Sequence, residues 1–419
     1  MNKSIIKKII IQKQEEILST QLIEREIELE SKCNYVFVGL RRAGKSFMMF
    51  QHIHSLIKNN KNSIDDFLYI NFEDERISMI KAEELGEILE SYEELFDRKP
   101  LIYLDEIQNI VGWEKFARRL ADSKYRVFVT GSNAQMLSKD IASTLGGRFV
   151  IKEVFPFSFE EYLQINGVSL AKNWEYGSQK NTIVKLWQEY FSYGGFAETI
   201  GLNDKRSWLN SLYQKILLGD IVARNGIRNS DAIRLLAKKI AESTMQPTTQ
   251  TRLQNVVSSA GVKISRNTIV EYLNYMKDAY LTFGISNYTD NFNERESSQK
   301  RYYSDNGLLN IFLTDSDTKL LENIVAITLM KRYGRSNVFY YNKNVEVDFY
   351  IPSEGLAVQA SYSLAEDTTL ERETKAIVKL CRAFKVNRAL IVSADEEKIL
   401  TIDGFQIDVL PVWKFALSF

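Results

Sequence analysis

Apolar residues follow two different rhythms along this chain. Short runs at Tyr35–Val38, Phe67–Phe72, Leu101–Leu104, Val127–Thr130 and Phe149–Val154 are separated by stretches long enough for helices. Buried runs of this length alternating with helical segments predict a parallel sheet flanked by helices. The first 30 residues read differently, with apolar positions broken by Lys3, Lys7, Lys8 and Lys13. That pattern predicts an amphipathic helical arm packed on the body, and it lacks the uninterrupted apolar core of a signal peptide. No window of about 18 apolar residues occurs, so no membrane span is predicted.

Candidate chemistry sits at the ends of these runs. After the first comes Gly39-Leu40-Arg41-Arg42-Ala43-Gly44-Lys45-Ser46, and then a helix opening at Phe47. This is the phosphate-binding pattern G-x-x-x-x-G-K-S between strand and helix. Its glycines let backbone N–H groups face a polyphosphate, Lys45 reaches the β- and γ-phosphates, and the Ser46 hydroxyl binds Mg²⁺. The third run ends in Asp105-Glu106, where Asp105 can hold the metal with Ser46 and Glu106 can polarise an attacking water. The alternative reading of this acid pair is a helix start. The fourth run ends in Thr130-Gly131-Ser132-Asn133, and both Ser132 and Asn133 are candidates for a polar sensor of the γ-phosphate or the water. Arg148, after Gly146-Gly147, can reach phosphates in cis or a neighbour's in trans, or be a surface arginine in a turn.

The segments VFVGLRRAGKS, YINFEDER, LIYLDEIQNIVGWE, VFVTGSNAQML and LGGRFVIKEVFPFSFEEYL, in this order over roughly residues 15–165, resemble AAA-type prokaryotic ATPases related to the STAND-type archaeal ATPases. Those proteins carry a C-terminal domain of unknown function. The resemblance implies ATP as the nucleotide with Mg²⁺, Lys45 and Ser46 as the P-loop pair, and Asp105 and Glu106 as the Walker B pair. It also implies Ser132 or Asn133 as the sensor and Arg148 as the arginine of a GGR element. The turn Tyr193-Gly194-Gly195-Phe196-Ala197-Glu198 matches the family too, without evident chemistry.

Beyond a helical connector at 166–210, residues 251–284 read as helix, turn, helix. Gly261 and Val262 make the turn, Ser265 caps the second helix, and Ile269, Tyr272, Leu273 and Met276 recur along it at helical spacing. This is a winged-helix pattern, with Arg266 and Asn267 where base contacts are made. The stretch after residue 298 resembles restriction-endonuclease-like folds, with Glu322 on a helix, Asp348 on a strand and a following strand Leu356–Ala360. An active nuclease of that type needs a carboxylate and a lysine two positions apart on that last strand, where this chain has Gln359-Ala360-Ser361. The expectation is a nuclease-like fold without nuclease activity.

The fold class expected is therefore α/β: a P-loop parallel sheet of the additional-strand, catalytic-glutamate type at 1–165, a helical winged-helix-like part at 166–298 and a nuclease-like part at 299–419. Charge refines this. The 54 Lys plus Arg balance the 54 Asp plus Glu, which excludes a uniformly basic coat. Residues 205–284, however, hold 12 basic and 5 acidic residues, a net of +7, and this is the stretch that can meet DNA phosphates. Two widely spaced cysteines and two histidines exclude a zinc module or a disulfide framework and fit a reducing, cytoplasmic setting. The expected activity is Mg²⁺-dependent ATP hydrolysis that drives or gates the C-terminal parts. An ATP-switched DNA-binding regulator with slow turnover is the first alternative and an active Mg²⁺-dependent nuclease the second, and a protein partner or a second copy of the chain is a further expected partner.

Overall fold

The computed structural model describes residues 3–60, 62–132 and 143–419, so the sensor candidate Asn133 lies outside the described residues. The chain forms two compact units, Met1–Phe155 with Asp278–Tyr280, and Pro156–Lys277 with Leu281–Phe419.

In the first unit the apolar runs are strands: β1 (Asn34–Val38), β2 (Phe67–Asn71), β3 (Leu101–Asp105), β4 (Arg126–Gly131) and β5 (Phe149–Glu153). All pair in parallel, in the order β2-β3-β4-β1-β5. Helices α2 (Lys45–Lys58), α3 (Gly86–Phe96) and α4 (Trp113–Asp122) make the crossovers. A parallel sheet covered by helices buries both faces of its strands, and β1, β3 and β4 are buried along almost their whole length. Tyr35, Phe37, Tyr103 and Phe128 stack across them, with Tyr103 and Phe128 centroids 4.7 Å apart. His52 packs on Phe128 and meets the Tyr103 hydroxyl at 2.8 Å, and burial pushes its pKa down to about 4. Helix α1 (Lys3–Ser19) buries Ile6, Ile9, Ile10 and Ile17 as one stripe and ties Gln14 Nε2 to the Phe67 carbonyl at 3.0 Å.

Strand β4 stands between β1 and β3. The carboxyl ends of the P-loop strand, the sensor strand and the acid-bearing strand therefore lie side by side, which is what builds the site.

The second unit begins with helices at Phe159–Ile165 (α5), Lys180–Tyr193 (α6), Lys205–Lys215 (α7) and Ser230–Glu242 (α8). Next come β6 (Thr248–Thr249), α9 (Gln250–Ser259), α10 (Arg266–Asp278), β7 (Thr282–Ile285) and β8 (Ser298–Tyr303), with the three strands paired antiparallel in the order β6-β8-β7. Helix α10 starts at Arg266 because Ser265 Oγ accepts the Thr268 N–H at 3.0 Å, and Ile269, Tyr272, Leu273 and Met276 form its buried face. Further elements include α11 (Asp317–Tyr333), β9 (Phe339–Asn342), β10 (Glu346–Ile351), β11 (Leu356–Ala360), α12 (Asp367–Ala383), β12 (Arg388–Ser393), β13 (Lys398–Ile402), β14 (Phe405–Pro411) and α13 (Val412–Ser418). They include a mixed six-stranded sheet in the order β13-β14-β12-β11-β10-β9. The boundary expected at 298/299 falls at the first residue of β8, which pairs backward in sequence with β7 and β6. The basic helical stretch and the six-stranded sheet thus share one compact unit.

The Tyr193–Glu198 turn also finds its reason here. The Asp305 carboxylate accepts the Gly195 N–H at 2.8 Å, and a Cβ at Gly194 (φ +77°) would overlap that carboxylate at 2.0 Å. Burial lifts Asp305 to a pKa of about 6. Gly194 serves close approach to this buried acid, and Gly195 serves close approach to the Phe157 carbonyl, which an added Cβ would meet at 2.2 Å.

Candidate functional site

The P-loop leaves β1 through Gly39, whose φ of +142° brings its Cα against the Val154 carbonyl; an added Cβ would sit 2.1 Å from that oxygen. Only glycine fits there. Gly44 (φ +92°) turns the chain into α2, so the first N–H groups of a 14-residue helix face the loop. Lys45 is buried, and its Nζ donates to the Gly39 and Leu40 carbonyls at 3.2 and 3.1 Å. The same Nζ is 4.0 Å from Glu106 Oε1. Leu40 and Ala43 are buried, Arg41 pairs with Glu73 at 3.4 Å, Arg42 takes φ +66°, and Phe47 is exposed beside Phe50.

Asp105 ends β3, fully buried. Its Oδ2 accepts the Ser46 hydroxyl at 2.8 Å and the Tyr69 hydroxyl at 2.6 Å, and its Oδ1 accepts the Thr130 hydroxyl. Desolvation pushes the Asp105 carboxyl above its ordinary range, the nearby Glu106 adds to that, and the three hydroxyl donors pull it back. Thr130 Oγ1 also accepts the Glu106 N–H at 2.9 Å, which fixes the backbone between the two acids. Glu106 itself has φ +52°, a left-handed conformation that is costly for a side chain with a Cβ and that occurs at functional turns. Its Oε2 accepts from Gln108 and, at 3.3 Å, from Ser132.

The structure thus brings Lys45, Ser46, Asp105, Glu106 and Ser132 into one cluster. It commits Arg148 elsewhere: Nε donates to Asp122 Oδ1 at 2.6 Å, and the guanidinium folds back on the Gly146 carbonyl. Tyr69, Thr130 and Gln108 escaped the sequence reading because they lie in apolar runs or turns with no motif of their own. The oxygen donors fit a hard divalent cation: the Ser46 proton points at Asp105, which leaves the Ser46 lone pairs for a metal ligand.

The second unit holds a cleft of about 930 Å³ whose lining includes Glu322, Glu346, Asp348, Gln359 and Glu373, with Arg372, Lys375 and Lys379 among the basic residues. Glu322 lies on α11, Asp348 on β10 and Gln359 on β11, as the sequence predicts. No lysine stands at the expected place on β11, but a lysine of a different strand meets the carboxylates. Lys300, on β8 and wholly buried, has its Nζ 2.8 Å from Asp348, 2.7 Å from Glu346 and 3.5 Å from Glu322. The oxygens are otherwise engaged: Tyr302 donates to Glu322 at 2.7 Å, the Ala360 N–H to Asp348 Oδ2 at 3.0 Å and the Asp348 N–H to Gln359 Oε1 at 3.2 Å. Burial disfavours the Lys300 ammonium, but the three carboxylates outweigh it and hold its pKa above the ordinary range. Burial together with the neighbouring Asp348 raises Glu322.

With this geometry in hand, comparison with known proteins places the chain. Residues 32–163 match the family model of the AAA domain, and residues 184–319 match that of a domain of unknown function, DUF8612. Over 435 aligned residues the chain is 35% identical to the uncharacterized protein MJ1544 of Methanocaldococcus jannaschii, covering 100% of this chain and 96% of that one. The chain belongs to the MJ1544 family. An uncharacterized protein of Haemophilus influenzae is 27% identical across 94% of this chain and 99% of its own length. Among solved structures, the Walker-type ATPase PABY2304 of Pyrococcus abyssi is similar at 12% identity over 74% of this chain and 95% of that one, with a TM-score of 0.42. The AAA match, the five-stranded parallel sheet and the phosphate loop give the first unit of this MJ1544-family chain the α/β fold of a P-loop domain of the AAA type. Among the described residues no helix is long and apolar enough to cross a membrane.

Proposed function

We propose that this chain binds ATP with Mg²⁺ in the first unit and hydrolyses it, and that the nucleotide state gates the second unit. The observation that carries the reading is the Ser46–Asp105 contact of 2.8 Å across the sheet, formed beside a P-loop lysine and an adjacent second carboxylate. Lys45 neutralises phosphate charge, and the α2 N–H groups orient the phosphates. Ser46 and Asp105 would hold the cation, which when bound offsets charge on the β- and γ-phosphates. Glu106, held by Gln108 and Ser132 on one oxygen, has its other oxygen toward Lys45 and can accept a proton from water. Arg148 is paired with Asp122 and would leave that pair to reach phosphates, in cis or in trans. Glu106→Gln keeps the shape and removes the base, so ATP binding should stay within about twofold while turnover falls by about 100-fold or more. Wild-type turnover in Glu106→Gln would remove Glu106 as the base.

A second reading, DNA binding, is favoured by the arrangement of α9 and α10 with β6, β7 and β8, which has the element order of a winged helix. Arg266 and Asn267 stand exposed at the start of α10, and Arg252, Lys263 and Lys277 are exposed nearby in sequence. A duplex should be retarded in an electrophoretic shift at low salt, with affinity falling steeply as salt rises and changing when a non-hydrolysable ATP analogue is added. Absence of any shift at low salt removes this reading. In the same proposal the second-unit cleft is nuclease-like in outline without being a nuclease, and the buried Lys300 ties up Glu322, Glu346 and Asp348.

A further inference from the structure

The Walker B acid is held by a residue that no motif marks. Tyr69 lies on β2 beside β3, in register with Tyr103, and is 1% exposed. Phe50 of α2 packs edge-on against its ring at 5.2 Å, which leaves the ring little room to turn. Its hydroxyl donates at 2.6 Å to Asp105 Oδ2, the same oxygen that accepts from Ser46.

We infer that Tyr69 is a positioning residue of the nucleotide site: with Thr130 on the opposite oxygen, it fixes the rotation of the Asp105 carboxylate so that Oδ2 faces Ser46. The other two donors carry further roles. Ser46 is itself a candidate metal ligand, and Thr130 holds the opposite oxygen while also receiving the Glu106 N–H. Groups of this kind, one bond behind a metal ligand, tune cation affinity by preorganisation, and their loss costs about 10–100-fold in metal affinity or activity.

This inference rests on the Mg²⁺-ATP reading, and the experiment separates the two. Binding of a fluorescent ADP analogue to the full chain is measured with EDTA and across a Mg²⁺ series, for wild type, Tyr69→Phe and Tyr103→Phe. Tyr103→Phe is the matched control, since it removes a buried tyrosine hydroxyl whose partner is His52 rather than Asp105. The expected result is that Tyr69→Phe needs about tenfold more Mg²⁺ to reach tight binding, with its metal-free affinity unchanged, whereas Tyr103→Phe follows wild type in both. An unchanged Mg²⁺ requirement in Tyr69→Phe overturns the inference alone. So does an equal loss with and without Mg²⁺, which marks a merely structural tyrosine. A wild-type chain that gains nothing from Mg²⁺ overturns the Mg²⁺-ATP reading and the inference with it.

Discussion

Lys45→Ala is expected to lose measurable ATP binding while the chain still folds. The Lys45 ammonium is buried in the loop, donating to the carbonyls of Gly39 and Leu40, and it lies 4.0 Å from Glu106. The hydrogen bonds removed are charge-assisted ones to phosphate, each worth about 1.5–3 kcal/mol. Two of them correspond to a fall in affinity of roughly 100-fold or more. Folding is affected as well, because the two carbonyls that lose their donor are buried, at about 1–3 kcal/mol each. Titration calorimetry with ATP and Mg²⁺ reads the affinity, and a thermal melt checks the fold. Binding within a few-fold of wild type in a well-folded Lys45→Ala chain would remove the P-loop assignment and the function built on it.

Lys300→Met is expected to have the largest effect on stability. The substitution keeps an unbranched side chain of similar length but withdraws the one ammonium shared by Glu322, Glu346 and Asp348. Removing one partner of a buried ion cluster leaves uncompensated charge and costs about 3–5 kcal/mol. For a unit of this size the loss corresponds to a fall in melting temperature of roughly 10 °C. Four of the five tryptophans, Trp174, Trp187, Trp208 and Trp413, belong to the second unit, so its unfolding can be followed by fluorescence.

The pH dependence of this effect has a definite sign. Glu322 already has a folded pKa raised above its unfolded value by burial, and without the Lys300 ammonium that lowers it, it is pushed further in that direction. An acid with a raised folded pKa binds its proton more tightly in the folded state. Stability is therefore lost as pH climbs above the unfolded carboxylate range, and the penalty of Lys300→Met should be smaller at pH 5 than at pH 8. Adding Glu322→Gln to Lys300→Met should recover part of the loss at pH 8. Equal melting temperatures for wild type and Lys300→Met at pH 8 would show that the ammonium does not hold the cluster together.

Much of the first unit was legible in the chain because its signals are local. Each strand is a contiguous buried run, and G-x-x-x-x-G-K-S between a strand and a helix specifies a backbone shape within eight residues. Lys45, Ser46, Asp105 and Glu106 could be named for the same reason, since each stands at the carboxyl end of a recognisable strand or next to it. The cap at Ser265 and the buried face of α10 were equally local. Arg148 shows the limit: its place after two glycines was readable, but its pairing with Asp122 was not.

What the sequence determined by itself was the identity of the strands, the phosphate loop and the acid pair, because short-range periodicity and fixed backbone requirements encode them. Tertiary structure alone decided which side chains complete the sites. Tyr69 meets Asp105 across 36 positions, Thr130 meets it across 25, Lys300 meets Asp348 across 48, and Gly195 meets Asp305 across 110. Each pairing depends on strand order, register and the face a side chain takes, and these are set by burying apolar surface over the whole unit. In a linear reading, a tyrosine or threonine in an apolar run and a lysine at the start of a strand are ordinary sheet residues, and they acquire a chemical role only when the sheet closes around a buried carboxylate.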